Sequence, residues 1–165
     1  MPGQLLVSDA NILNDMDAGG HLNGMLKLDY SFAVPDVLFE EELKAQHPEL
    51  PGLGLKSLAL HEEAVKYAEE LSVKYEKSGA SRNDLLALAL ASQEKCPLLT
   101  GDSRLRKVCE DQKMDAHGTI WLVGQMIEQK VIGIAAARSA YRAMRDARRR
   151  LPWDEVEKQL ESFRK

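Results

Sequence analysis

Long apolar runs are the first thing this sequence lacks. No stretch approaches the roughly 18 to 20 residues that a membrane-spanning helix needs, which predicts no membrane span. The N-terminal MPGQLLVSDAN has neither a basic segment nor a long apolar core, so no signal peptide is expected. Cysteine is scarce: Cys96 and Cys109 lie in different predicted elements without motif spacing, which predicts reduced thiols in a cytoplasmic protein. The four histidines, His21, His47, His61 and His117, show no ligand spacing, which argues against a zinc site. An excess of positive charge is also missing. With a formal net charge of −4 and a pI near 5.6, any contact with nucleic acid requires a local basic patch. Neither G-x-G-x-x-G nor G-x-x-x-x-G-K-[ST] occurs, so the nucleotide-binding folds those motifs mark lack support. Repeats, low-complexity tracts and long linkers are absent as well.

What is present suits one folded domain. The chain has 165 residues, 44% of them hydrophobic and 29% charged with both signs, enough to bury a core and stay folded. Apolar runs predict strands over Leu5–Ser8, Tyr30–Val34, Leu55–Leu60, Cys96–Thr100 and Met114–Ala116. Between them, helical patterns cover Ala10–Asp17 up to Gly19-Gly20, His21–Leu28, the segment after Pro35, His61–Tyr75, the segment from Ser81 through LLALALASQ, and Ser103–Gln112. HPELPGLG reads as a loop, and only helices are expected from Gly118 onward. Strands alternating with helices predict a three-layer α/β/α domain with a central, mostly parallel sheet. The division expected is a main α/β domain over residues 1–132 and a helical extension over 133–165, packed on the same domain.

In open α/β sheets, ligands bind outside the carboxyl ends of the strands, where the strand order reverses. Acids stand at that rim. Asp9 ends the first strand, and Asp102, in LLTGD, ends the fourth through a one-glycine turn. Asp84 opens an apolar helix, and Glu40, Glu41 and Glu42 lie in the first turns after Pro35. Each has an ordinary reading. Asp9 and Asp102 suit helix N-caps, Ser81 and Asp84 match a capping box, and a Glu run is commonly a solvated face. Singly none is informative; four together are. Four carboxylates in one pocket repel one another unless a divalent cation neutralises them, and Mg²⁺ or Mn²⁺ takes oxygen ligands and serves phosphate chemistry.

The order of these motifs resembles the PIN domain, a family of metal-dependent ribonucleases that includes the VapC-type toxins of bacterial toxin–antitoxin pairs. SDANIL resembles its opening strand-end aspartate, VPDVLFEEEL its acidic helix, SRNDLLALALA the helix led by its third acid, and LLTGDSRLR its strand ending T-x-D. HGTIWLVGQMIEQKVI resembles the closing strand and helix, so the likeness runs from Leu5 to Ile132. The resemblance implies that Asp9, one of Glu40 to Glu42, Asp84 and Asp102 hold Mg²⁺ or Mn²⁺. Counting forward from Pro35 favours Glu41, and counting back from Leu43 favours Glu42; Glu41 is the choice here. Asn11 and Thr100 are expected to orient a carboxylate or water, or else to make local turn hydrogen bonds. The activity implied is endoribonuclease cleavage in the cytoplasm that leaves 5′-phosphate and 3′-hydroxyl ends. The partners implied are an RNA substrate, an antitoxin protein and a second copy, with the helices after Gly118 as the dimer interface.

A basic helix completes the reading. Arg138, Arg142, Arg145 and Arg149 recur at spacings of four, three and four, one stripe beside the apolar stripe Ile134, Ala137, Tyr141, Met144 and Leu151. That stripe suits RNA phosphates, or a solvated face, or the acids of a partner subunit. Trp121 and Trp153 read as core or interface anchors. Other classes fit less well. Haloacid-dehalogenase-like phosphatases need D-x-D, and position 11 is Asn; a receiver-like fold needs paired acids before the first turn. A non-catalytic PIN-like module that binds metal or RNA and acts through a protein partner is the remaining alternative.

Overall fold

Leu6, Val7 and Ser8 are all buried, although successive side chains of a strand point to opposite faces. Leu5–Ser8 (β1) is therefore covered on both sides, as the strands of a parallel sheet are. The computed structural model describes residues 3–164. Four further segments join β1 in one sheet: Ser31–Pro35 (β2), Lys56–Leu58 (β3), Leu98–Leu99 (β4) and Ala116–His117 (β5). The order is β3-β2-β1-β4-β5, and every pairing is parallel. In the register, Leu6 stands opposite Phe32, and Ser8 opposite Leu99.

Nine α-helices intervene among the described residues: Ala10–Ala18 (α1), Leu22–Met25 (α2), Asp36–Leu38 (α3), Glu62–Lys74 (α4), Arg82–Glu94 (α5), Ser103–Asp111 (α6), Thr119–Glu128 (α7), Ile134–Asp146 (α8) and Trp153–Ser162 (α9). Helix α5 packs on β1 and β2 with α4 against it, while α1 packs against α2, α7 and α8. The result is the three-layer α/β/α architecture that the alternation predicts. Helices α8 and α9 contribute Ala137, Tyr141, Met144, Val156 and Leu160 to the same core as β1.

Leu85 through Ala91 of α5 are buried without a break, which is the pattern of a helix enclosed on all sides. Leu88 is fully buried there. Leu88→Ala is expected to lower the unfolding free energy by roughly 2–5 kcal/mol, read by urea denaturation.

Several boundaries differ from the sequence reading. Strands β3 and β4 are shorter than Leu55–Leu60 and Cys96–Thr100, and β5 begins at Ala116 rather than Met114. The loop HPELPGLG contains a 3₁₀ turn, Pro51–Leu53, that ends at Gly54 with φ of 116°. Past α3 the chain widens into a π-helix, Phe39–Leu43, in which the Lys44 N–H donates to the Phe39 carbonyl at 2.8 Å. Helix α8 stops at Asp146, because Arg148 takes a left-handed φ of 62° and the N–H of Arg149 folds back onto the Met144 carbonyl at 2.9 Å.

Strand β1 connects to β2 on one side and pairs with β4 on the other, so the order reverses between β1 and β4. The crevice outside the carboxyl ends of these two strands is where such a sheet accepts a ligand. Asp9 follows β1 and Asp102 follows β4.

Candidate functional site

Asp9 is fully buried at this switch point. Its backbone N–H donates to the Leu99 carbonyl at 3.0 Å, which ties it to the end of β4. One carboxylate oxygen caps α1, accepting from the Ile12 N–H at 3.0 Å, and the other accepts from the Thr100 hydroxyl at 2.6 Å. No cationic side chain pairs with it among the described residues. Burial pushes its pKa up to about 7, against the lowering by the Thr100 and Ile12 bonds, and the charges of Asp84 and Asp15 add to the rise. Asp9 is a desolvated carboxylate without a counter-charge among the described residues.

Asp102 is held differently. It caps α6, accepting from the Arg104 N–H at 2.8 Å, while the Arg104 guanidinium donates from Nε to Oδ1 at 3.1 Å and from Nη2 to Oδ2 at 3.0 Å. Burial raises the pKa of this carboxyl, but the Arg104 side chain and the N–H groups of Arg104 and Leu105 outweigh it, leaving the value below the usual carboxylate range. The Asp102 N–H donates to the Thr100 hydroxyl oxygen at 3.1 Å, so one hydroxyl bridges Asp9 and the turn that carries Asp102.

Asp84 completes a capping box with Ser81: each side chain bonds the other's N–H at 3.1 Å. The cap and a role in the site are compatible, because its charge reaches both Asp9 and Arg104. Beside it, the Asn83 amide donates to Glu42 at 2.8 Å and to Glu41 at 3.3 Å, while the Asn83 carbonyl oxygen is buried without a partner. Glu40 turns away to Lys44 at 3.2 Å. The segment from Phe39 to Leu43, which holds all three glutamates, is a π-helix. Both Glu41 and Glu42 approach the start of α5.

A second buried acid was missed by the sequence reading. Asp15 of α1 accepts from the Thr119 hydroxyl at 2.7 Å and from Arg149 Nε at 2.6 Å. It borders a cleft of about 1150 Å³ that runs beside Asp102 and Asn11. Arg104, Arg106, Arg148, Arg149 and Arg150 all line this cleft, and His117 stacks on Trp121 at its edge, with ring centroids 4.1 Å apart.

The four-arginine stripe expected on one helix does not form. Arg138, Arg142 and Arg145 belong to α8, but Arg149 lies beyond its end and reaches back to Asp15. Arg138 stands 3.8 Å from Glu157, Arg145 lies over the Trp153 ring at 5.2 Å, and Arg142 is exposed. The basic surface nearest the acids is the cleft instead. Its signal in the sequence was the run Arg148-Arg149-Arg150, which the helical spacing obscured.

The side chains fit a hard divalent cation in type, since all are carboxylates at one rim of the sheet and Asp9 has no counter-charge. As they stand, no three His, Cys, Asp or Glu side chains converge on one point among the described residues. Arg104 holds Asp102, and Asn83 holds the two glutamates.

No match was found among curated proteins. A sequence model described as a PIN domain matches residues 5–165, a range that takes in every strand and helix named above. The chain belongs to the PIN domain family.

Proposed function

We propose that this protein is a metal-dependent endoribonuclease. The PIN domain is a nuclease-type fold, and the observation that carries the reading is Asp9, a carboxylate buried at the switch point with hydrogen bonds but, among the described residues, no cationic side chain to balance it. Asp9, Asp84, Asp102 and Glu41, with Glu42 as the alternative acid, would hold Mg²⁺ or Mn²⁺. Such an ion supplies charge neutralisation at the phosphodiester and makes water more acidic, for hydrolysis that leaves 5′-phosphate and 3′-hydroxyl ends.

The chain's own residues supply the rest. Thr100 orients Asp9 and fixes the turn of Asp102. Asn83 aligns the two glutamates, and Asn11 stands on the cleft wall beside Asp102. The arginines of the cleft give an acidic protein a local seat for a polyanion. Arg138, Arg142 and Arg145 would extend that surface along α8 at longer range. The likeness of the four acid motifs to the VapC-type toxins supports a role as the toxin of a type II toxin–antitoxin pair, in the cytoplasm, as a homodimer built on α7 to α9 and with an antitoxin partner.

One observation favours a second reading, a non-catalytic PIN-like module acting through a protein partner: the acids do not converge in the arrangement seen. Incubation of a mixed RNA pool with purified protein, in Mn²⁺ or in EDTA, separates the two. Cleavage is expected to require Mn²⁺ and to fall at least about 100-fold in Asp102→Asn. Intact RNA in Mn²⁺ would favour the binding module.

A further inference from the structure

We propose that Arg104 alternates between two anions: the Asp102 carboxylate when no cation is bound, and a phosphate of the strand in the cleft once a cation has taken Asp102. This rests on the reading of Asp102 as a cation ligand. The geometry of the fork carries it. Nε and Nη2 of Arg104 each bond a different oxygen of Asp102, at 3.1 and 3.0 Å, so the guanidinium occupies both oxygens that a cation would use. Arg104 is therefore a competitor for the ligand and not merely its neighbour.

Three features make the exchange feasible. The cap of α6 uses the Arg104 backbone N–H at 2.8 Å, so the guanidinium can leave while the helix end stays satisfied. The pair is open on the arginine side, where the side chain is 58% exposed against 8% for Asp102. Water therefore reaches the guanidinium and can solvate it as it leaves, while a cation would take over the charge of Asp102. Arg104 also already lines the basic cleft with Arg106, Arg148 and Arg150, and a guanidinium fork suits phosphate as well as carboxylate.

The loop opposite is shaped for this side chain. Gly79 has φ of +85°, and a Cβ there would lie 2.7 Å from Arg104 Nη1 and 3.1 Å from its Cδ. A side chain there would crowd this flexible arginine and oblige it to shift, and the left-handed φ itself favours glycine.

The two roles predict effects of opposite sign, which a structural role does not. Mn²⁺ affinity would be measured by electron paramagnetic resonance on the whole protein for wild type, Arg104→Gln and Asp102→Asn. Affinity for a fluorescent 2′-O-methyl oligoribonucleotide, checked on a gel to be intact at the end of each titration, would be measured by anisotropy in saturating Mn²⁺. Arg104→Gln is expected to bind Mn²⁺ about three- to tenfold more tightly and the oligonucleotide about three- to tenfold more weakly. Asp102→Asn is expected to weaken Mn²⁺ binding.

Unchanged or weaker Mn²⁺ binding by Arg104→Gln, with Asp102→Asn also weakened, overturns the competition and leaves the metal reading standing. Tighter Mn²⁺ binding with unchanged oligonucleotide binding overturns the alternation. If Asp102→Asn binds Mn²⁺ as wild type does, Asp102 is not a ligand, and the inference falls together with that part of the site.

Discussion

In metal-free buffer, the protein is expected to lose roughly 2–3 kcal/mol of stability between pH 5 and pH 8, and Asp9→Asn is expected to abolish most of that loss. The cause is the Asp9 carboxyl, whose pKa rises from 3.8 to about 7 on folding because burial disfavours its charge. Below about pH 4 it is protonated in both states and imposes no cost. From there to pH 7 the unfolded chain ionises and the folded chain does not, so folding takes up a proton and stability falls as pH rises. Above pH 7 the full penalty remains, about 4 kcal/mol in all at 1.36 kcal/mol per pKa unit.

Two other groups shape the profile. Asp102 lies below its ordinary value, so its contribution is lost only under more acid conditions. His117 is lowered by burial, and its contribution grows as pH rises through the histidine range, partly opposing Asp9. The comparison with Asp9→Asn removes both from the argument. Asparagine keeps the cap on Ile12 and can donate to the Thr100 oxygen, so the variant should fold. Urea titrations at several pH values give the answer. Mn²⁺ at pH 8 should restore stability to wild type, by about 2.7 kcal/mol at 100 times its Kd, and not to the variant. Parallel pH profiles for the two proteins would show that Asp9 is ionised at no cost, and the reading of it as a carboxylate that needs a cation would fail.

Arg149→Ala is expected to destabilise the fold by about 3 kcal/mol, more than any other arginine in the C-terminal segment. Asp15 has a side chain only 5% exposed, and Arg149 is its single cationic partner among the described residues. Removing the guanidinium leaves a buried charge supported only by the Thr119 hydroxyl. Asp15→Asn should cost less, because the amide can still meet Thr119 and carries no charge. The double variant Asp15→Asn/Arg149→Ala should then recover most of the loss, a coupling that a double-mutant cycle reads directly. Arg142→Ala, on an exposed side chain, should change stability by less than about 0.5 kcal/mol. If Arg149 instead behaves as Arg142 does, weakening RNA binding without loss of stability, the ion pair with Asp15 is not formed in solution.

Much of the site was legible because its residues obey local rules. Asp9 and Asp102 cap the helices that follow their strands, and Asp84 is the third helical residue of the capping box that Ser81 opens. An acid that ends an apolar run is visible in one dimension. The register of the glutamates was not visible in this way. Counting forward from Pro35 favours Glu41 and counting back from Leu43 favours Glu42, and the π-helix at Phe39–Leu43, from which both reach Asn83, has no marker in the sequence. The end of α8 was hidden for a related reason. Helices commonly stop at a glycine, but here Arg148 takes the left-handed conformation with φ of 62°, so the arginine pattern ran on past the true end.

By itself, then, the sequence determined the alternation of strands and helices, the apolar enclosure of α5, and the acids that stand at strand ends, because periodicity and capping are local properties. Only the tertiary structure decided how those acids are balanced. Asp9 caps the start of α1 and Asp15 lies near its other end, and both are buried acids that look alike in the sequence. One receives a guanidinium from 134 residues away and the other receives none, because the turn after α8 brings Arg149 over α1 and carries no cation to β1. Charge compensation depends on distance in space, and the chain specifies that distance only once the sheet order has brought β1 and β4 together.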